Sequence, residues 1–279
     1  MTLASWDLGR LTVSCSVSGQ GAAVVFLHSG PGSAADWRAV FERFAAGYRL
    51  VAVNGFGQGQ TSEWPSGEVH VDQYVDLVVG LVRELGGSVH LVGHSYGGAV
   101  ALRMASTSPR LVRSLAVVEP QAYPLLRDRD PQMLTEVSQL AGTFADAVDE
   151  GRVEDAWREF IDHYNGPGSW RALPEATQQR MLRISDVAPR SWAALFTNPI
   201  TVSDLAQIRV PTLVIQGGQT TAAERRLCEI VADRVPDARQ VVVEGAGHMV
   251  PLTHPTATAE ALGAHLRAFD AHSTPSGRG

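Results

Sequence analysis

The chain contains no lysine, and all 23 of its basic residues are arginine. This absence excludes Schiff-base catalysis, a Walker-type nucleotide site and an anchor for pyridoxal phosphate, because each of these requires a lysine amine. Positive charge is also outweighed, since 29 acidic residues give a net charge of −6 at pH 7. A negative chain without a basic run predicts neither a nucleic acid nor an anionic membrane as partner.

Cysteines and long apolar runs are scarce as well. Cys15 and Cys228 lie far apart and in no CxxC pattern, so we expect two free buried thiols rather than a disulfide. No apolar stretch approaches the roughly 18 residues that span a bilayer, and residues 1–10 show no secretion-signal pattern. The sequence therefore predicts a cytoplasmic protein, a monomer or a homodimer, that acts on a small molecule.

Short apolar runs alternate with amphipathic helical patterns along most of the 279 residues. Continuous apolar runs are typical of strands buried on both faces, and they occur at 23–27, 50–53, 89–92, 115–118, 212–216 and 240–243. Helical patterns lie between them, at 34–46, 71–85, 99–105, 224–235 and 255–269. This alternation predicts an α/β fold with a mostly parallel sheet and helices on both of its faces.

A long interruption separates the strand patterns, and it carries helical patterns only. We interpret residues 121–207 as a helical cap inserted into a core formed by 1–120 and 208–272. Residues 273–279 are polar and rich in glycine and proline, which predicts a disordered tail. The cap is rich in large aromatic side chains, so we expect an apolar, ring-bearing substrate that contacts Tyr123, Trp157 and Trp192.

Gly93-His94-Ser95-Tyr96-Gly97 fits the pattern G-x-S-x-G and lies between a predicted strand and a predicted helix. A serine in so sharp a turn has a strained backbone and presents its hydroxyl at the carboxyl end of the sheet, beside a helix N-terminus that favours negative charge. Ser95 is therefore the predicted nucleophile. The alternative is a plain tight turn with an incidental serine.

With these residues the sequence resembles the α/β-hydrolase family over most of its length. His28-Ser29-Gly30-Pro31-Gly32 is similar to that family's HGxPG loop after the third strand, and Gly245-Ala246-Gly247-His248 resembles its GxGH segment after the last strand. The resemblance implies an α/β-hydrolase fold with an inserted cap. Ser29 stands where the family usually has glycine, and we expect Ser29 and Met249 to contact the substrate.

The resemblance also implies the residues around the nucleophile. The backbone N–H groups of Gly30 and Tyr96 are the expected oxyanion-hole donors. His248 is the predicted general base, because a histidine on a flexible glycine loop can reach the serine and titrates near neutrality. The remaining histidines form no cluster with the spacing of metal ligands, so we expect neither a metal nor a cofactor.

The triad acid is the least obvious residue. The family most often takes it from a G-x-x-D segment after the penultimate strand, where this sequence has Gly217-Gly218-Gln219-Thr220, and the uncharged Thr220 leaves the position apparently vacant. Glu119 is the predicted replacement, because it ends the strand after the elbow helix and Pro120 should keep it extended. Certain branches, including the zearalenone-type lactonases, take their acid from this strand end, and Glu119-Pro120 resembles that arrangement. Asp204 is the second candidate.

The sequence thus predicts a cofactor-free serine hydrolase that cleaves an ester or lactone through a triad of Ser95, His248 and Glu119. The elbow carries no carboxylate nucleophile, which excludes the usual epoxide hydrolase and dehalogenase mechanisms. Thioesterases, carbon–carbon hydrolases and acyltransferases share the triad and stay open as alternatives, as does a small-molecule receptor or scaffold with little turnover.

Overall fold

One eight-stranded sheet forms the centre of the fold. The computed structural model describes residues 1–44, 47–65 and 67–273, with side chains up to residue 270. The strands are β1 (Thr2–Asp7), β2 (Thr12–Gly19), β3 (Ala22–Leu27), β4 (Tyr48–Val53), β5 (Val89–His94), β6 (Val112–Val118), β7 (Thr212–Gly217) and β8 (Ala238–Val243). Their order is β1-β2-β4-β3-β5-β6-β7-β8; β2 is antiparallel to β1 and β4, and every other pair is parallel.

Helices cover both faces of the sheet. Those outside the predicted cap are α1 (Arg38–Phe41), α2 (Val71–Glu84), α3 (Tyr96–Thr107), and, after the cap, α10 (Ala222–Arg234), α11 (Val250–Thr253) and α12 (Pro255–Ser273). Within the described residues, no helix is long and apolar enough to cross a membrane.

The central strands bury successive side chains on opposite faces of the sheet, as the two-residue period of a strand requires. In β3, Val25 and Leu27 belong to the core cluster under α2, α3 and α10, whereas Val24 and Phe26 belong to the cluster under α1 and α12. Because both faces are covered, the strands are continuously apolar. The predicted α/β class with a mostly parallel sheet is confirmed.

The chain between β6 and β7 is helical: residues 119–211 are all described, and none of them lies in a strand. This segment contains α4 (Pro131–Asp149), α5 (Val153–Asn165), α6 (Ser169–Ala172), α7 (Glu175–Arg183), α8 (Ala188–Thr197) and α9 (Val202–Leu205). We keep the name cap for residues 121–207. Aromatic pairs join its helices, with ring centroids 5.0 Å apart for Phe144 and Trp157 and 4.7 Å apart for Phe160 and Trp192.

Two predicted elements differ from the structure. In place of a helix over 34–46 there is a 3-10 turn, Ala34–Trp37, followed by the short α1, and residues 45–46 lie outside the described residues. After Phe41 the N–H groups of Arg43 and Phe44 bond to carbonyls three residues earlier, which tightens the helix into turns. At the other end α12 continues to Ser273, where the tail was predicted to begin, and residues 274–279 of the predicted tail lie outside the described residues.

Buried histidines should make the stability of this fold depend on pH. His90 on β5 and His265 on α12 are both buried, and burial lowers the pKa of each to about 4. Because the unfolded chain has histidines of ordinary pKa, it binds more protons than the folded chain between about pH 6.5 and pH 4. The free energy of unfolding is therefore fully present above this window and falls as the pH falls through it.

We expect a lower thermal unfolding temperature at pH 5 than at pH 7.5, measured by circular dichroism. Replacing both residues, His90→Gln and His265→Gln, should flatten that dependence because two of the titrating groups are gone. An unfolding temperature that changes equally with pH in wild type and double variant would contradict this assignment.

Candidate active site

Ser95 forms the turn between β5 and α3 with an unusual backbone conformation, φ +56° and ψ −116°. A non-glycine residue in this region costs about 1–3 kcal/mol, so its surroundings must hold it there. The N–H of Ser95 donates to the carbonyl of Val118 at 2.9 Å, and its carbonyl accepts from the N–H of Gln121 at 3.1 Å. Gly97 lets the elbow approach β3, since a Cβ there would lie 2.6 Å from the carbonyl oxygen of Leu27.

His248 connects Ser95 to Glu119. Its Nε2 lies 2.9 Å from Oγ of Ser95, and its Nδ1 lies 3.2 Å from Oε2 of Glu119. A second histidine fixes the loop, because the Nε2–H of His94 donates to the backbone carbonyl of His248 at 2.9 Å. Burial lowers the pKa of His94 to about 3, so its ring stays neutral at physiological pH. The three predicted triad residues are thus in hydrogen-bonding contact.

The carboxyl group of Glu119 is fully buried at the end of β6. Its Oε1 accepts from the N–H of Gly217 at 2.7 Å, and its Oε2 accepts from the hydroxyl of Thr220. The prediction that Pro120 keeps Glu119 extended is wrong, because Glu119 has φ +49°. Proline disfavours the right-handed helical region for its predecessor, and Glu119 instead has a positive φ while its carboxyl group is hydrogen-bonded to Gly217 and Thr220.

Thr220 occupies the position that looked vacant in the sequence. Its hydroxyl donates to Glu119, so the segment after β7 supplies a donor for the acid in place of an acid. Asp204, the second candidate, does not reach the site: it is half-buried in the short α9, where its carboxyl group accepts from the N–H of Thr201 at 2.8 Å.

The two predicted oxyanion-hole residues are neighbours, since a Cβ built on Gly30 would lie 3.8 Å from Cβ of Tyr96. His28 holds the loop that contains Gly30. Its Nδ1–H donates to the carbonyl of Ser29 at 2.6 Å, and its Nε2 accepts from the N–H of Gly55 at 2.9 Å. Burial lowers the pKa of His28, which keeps the ring neutral and able to accept this bond.

A cavity of about 320 Å³ extends from Ser95 and His248 into the cap. Four of the five residues predicted to contact a substrate line it, namely Ser29, Trp157, Trp192 and Met249. Further aromatic walls come from Phe56, Trp64, Phe144, Phe160 and Tyr164. A concave site with mainly apolar walls and a reactive group at one end is typical of a small-molecule binding site.

Tyr123 does not line the cavity, which corrects the prediction made for it. Its side chain is fully buried, stacked on Phe196 with ring centroids 4.9 Å apart. Its hydroxyl donates to Oε1 of Glu224 at 3.1 Å and lies 2.9 Å from the hydroxyl of Tyr164. The sequence places Tyr123 four residues after Glu119, but the 3-10 turn at Tyr123–Leu126 directs the ring away from the cavity.

Arg180 is a cavity residue that sequence reasoning missed. It lies on α7, with Nη2 3.8 Å from Oδ1 of Asp36, and its buried Nε has no hydrogen-bond partner among the described residues. The sequence of α7 is polar and gives no signal for the side that faces the cavity, because cap packing determines that side.

Thiols and potential metal ligands are the other groups in the protein that could take part in chemistry. Cys15 and Cys228 are both free and buried, as expected. Across residues 1–44, 47–65 and 67–270, no three histidine, cysteine, aspartate or glutamate side chains are grouped so that they could hold a metal ion.

The chain belongs to the alpha/beta hydrolase family, whose model matches residues 24–261. A pimeloyl-[acyl-carrier protein] methyl ester esterase from Aeromonas salmonicida is 28% identical over 258 residues, which cover 88% of this chain and 95% of the relative. A 2-hydroxymuconate semialdehyde hydrolase from a Pseudomonas strain is 27% identical and covers 95% of this chain and 96% of its own length. These relatives support a hydrolase role.

Solved structures agree on the fold. The crystal structure of a 2-hydroxy-6-oxo-6-phenylhexa-2,4-dienoate hydrolase from a Rhodococcus strain matches with a TM-score of 0.76 at 24% sequence identity. The match covers 95% of this chain and 98% of the other. At this level of identity the similarity establishes the α/β-hydrolase fold alone.

The geometry predicts that Glu119, and not Asp204, supports the histidine. Glu119→Gln should lower kcat for an activated ester by roughly 10³–10⁴-fold, because a neutral amide cannot stabilise the imidazolium or hold its tautomer. Asp204→Asn removes the same charge away from the site and should leave kcat within about twofold. The opposite pattern in steady-state assays of the two folded variants would refute the assignment.

Proposed function

We propose that this protein is a serine hydrolase that cleaves an ester or lactone bond of an apolar, ring-bearing small molecule without a cofactor. The observation that carries the proposal is the continuous contact from Oγ of Ser95 to Nε2 of His248 at 2.9 Å and from Nδ1 to Glu119 at 3.2 Å. Because two of these residues open onto a cavity, the hydroxyl can meet a carbonyl carbon there.

In this mechanism Nε2 of His248 removes the hydroxyl proton as Oγ of Ser95 attacks the carbonyl carbon. The carbonyl oxygen becomes an oxyanion that accepts hydrogen bonds from the N–H groups of Gly30 and Tyr96. His248 then protonates the leaving alcohol, and the acyl group stays on Ser95. A water molecule, deprotonated by His248, releases the acid, while Glu119 stabilises the imidazolium in both halves of the reaction.

The cavity supports the proposed substrate class. Its walls are mainly apolar and include several aromatic rings, and a ring in the substrate can pack against these edge to face or offset. The 320 Å³ volume lies in the range of small-molecule binding sites. The similarity to an esterase of a methyl ester is consistent with ester cleavage.

A second candidate is the hydrolysis of a carbon–carbon bond next to a ketone, by the same nucleophile and base. The guanidinium of Arg180 lines the cavity beside Asp36, and its buried Nε has no hydrogen-bond partner among the described residues, which favours a substrate that carries a carboxylate. The similarity to a 2-hydroxymuconate semialdehyde hydrolase supports the same alternative.

Labelling with a fluorophosphonate tests whether Ser95 is activated. We expect one adduct per chain by intact-mass spectrometry on wild type and none on Ser95→Ala. Ser106→Ala is the control, because Ser106 lies on α3 outside the cavity and its hydroxyl bonds to a helix carbonyl. If folded wild type gave no adduct, the hydrolase proposal would fail and a binding role without turnover would replace it.

Arg180 should select for negatively charged substrates. For an activated ester with a free carboxylate on its acyl group, Arg180→Gln should raise KM about tenfold or more, because a charge-assisted hydrogen bond is lost. The KM for a neutral ester of similar size should stay within about twofold. Arg183→Gln removes the same charge from an exposed position on the same helix and should change neither constant; equal effects of both variants on both esters would contradict a role for Arg180 in recognition.

A further inference from the structure

A second carboxyl group is buried behind the triad. Glu224, the third residue of α10, is fully buried, like Glu119. Its Oε2 accepts from the hydroxyl of Thr221, and its Oε1 accepts from the hydroxyl of Tyr123 at 3.1 Å and from Nε2 of Gln121 at 3.4 Å. Because burying a carboxyl group is costly, three side-chain donors gathered on one such group require an explanation beyond packing.

The hydrogen bonds of Glu224 continue into the cap. Tyr123 gives its only proton to Glu224, so the hydroxyl of Tyr164, at 2.9 Å, donates to Tyr123. Burial and the charge of nearby groups, including Glu224, raise the pKa of both tyrosines well above the ordinary value, which keeps both of them protonated as donors. The chain of bonds therefore runs from α10 of the core to α5 of the cap.

The chain of hydrogen bonds that begins at Glu224 ends at Tyr164, and Tyr164 contacts His248. The ring of Tyr164 packs against the imidazole of His248 with centroids 5.0 Å apart and planes inclined by 39°. The backbone of Tyr164 also contacts the loop of residues 245–249, here called the base loop because it carries His248. A Cβ on Gly247 would lie 3.6 Å from the carbonyl oxygen of Tyr164. Tyr164 is thus a point at which the cap contacts His248, and its hydroxyl is held by the bond to Tyr123.

We propose that Glu224 is a positioning residue which, through Tyr123, holds Tyr164 of the cap against His248 and so keeps the imidazole aligned with Ser95. This inference rests on the proposed serine hydrolase function and adds a second buried acid to it. Glu119 orients the imidazole through its Nδ1, whereas Glu224 acts on the ring face from the side of the cap. Both glutamates lie near the buried thiol of Cys228. The pKa of this thiol is raised by burial and by the charges of the two glutamates.

The test compares three tyrosine-to-phenylalanine variants, each of which removes one hydroxyl. Tyr123→Phe and Tyr164→Phe interrupt the hydrogen bonds between Glu224 and Tyr164 while keeping the aromatic rings. Tyr48→Phe is the matched control, because it removes a tyrosine–carboxyl hydrogen bond, 2.5 Å to Asp270, in the other core cluster. For 4-nitrophenyl acetate, kcat per active site is measured after titrating the active sites with a fluorophosphonate, so that loss of folded enzyme does not enter the value.

We expect kcat per titrated site to fall about tenfold in Tyr123→Phe and Tyr164→Phe, with KM within about twofold and no change in Tyr48→Phe. The double variant should be no slower than the slower single variant, because both substitutions break the same link. Glu224→Gln, which keeps an acceptor oxygen, should lose less activity than Glu224→Ala. An unchanged kcat in Tyr123→Phe, or additive effects in the double variant, would overturn the inference.

Hydrogen exchange of the backbone amides decides the question independently of turnover. Tyr123→Phe should raise the exchange rate in α5 and in residues 245–249, and Tyr48→Phe should not; equal protection of α5 in wild type and Tyr123→Phe would overturn the inference. If wild type itself took no fluorophosphonate label, the proposed function would fail, and the exchange result alone would decide whether Glu224 anchors Tyr164 on the base loop.

Discussion

The buried carboxyl group of Glu119 is the constraint on which the rest of the site depends. A carboxyl group without exposure must have its oxygens satisfied by protein donors, because the cost of leaving them unpaired is several kcal/mol. Its donors come from Gly217 at the end of β7, from Thr220 in the loop that follows, and from His248 after β8. One side chain therefore joins the carboxyl ends of three neighbouring strands and determines where the imidazole stands relative to Ser95.

Ser95 lies at the same carboxyl end of the sheet, and hydrogen bonds to neighbouring residues hold its strained backbone in place. The N–H of Ser95 donates to the carbonyl of Val118 at the end of β6, and the carbonyl of Ser95 accepts from the N–H of Gln121, two residues after Glu119. Hydrogen bonds thus join the backbone of Ser95 to the residues on both sides of Glu119. We therefore expect a displacement of either residue to displace the other. Aromatic side chains of the cap form part of the cavity wall beside this hydrogen-bonded framework.

Much of this arrangement was predictable from local patterns. The buried parallel strands are continuous apolar runs, and the elbow is a strand, a turn and a helix in adjacent sequence. Glu119 was identifiable because an acid at the end of an apolar strand needs a partner. The departures were of another kind: φ of Glu119 is positive and not extended, Tyr123 faces α10 and not the cavity, and Arg180 enters the cavity from a polar helix. Each depends on contacts with residues far away along the chain.

The sequence by itself determined the class of fold, the strand ends at which reactive groups collect, and the candidate nucleophile and base, since these follow from hydrophobic period and turn chemistry over a few residues. Only the tertiary structure separated Glu119 from Asp204 as the carboxyl group that meets His248, and only it decided which cap side chains face the cavity and that a second buried glutamate connects to the cap. The physical reason is separation: His248 and Glu119 are 129 residues apart, and Tyr123 and Glu224 are 101 apart. A pattern read over a short window carries no information about such contacts, which exist only once the whole sheet and cap have packed.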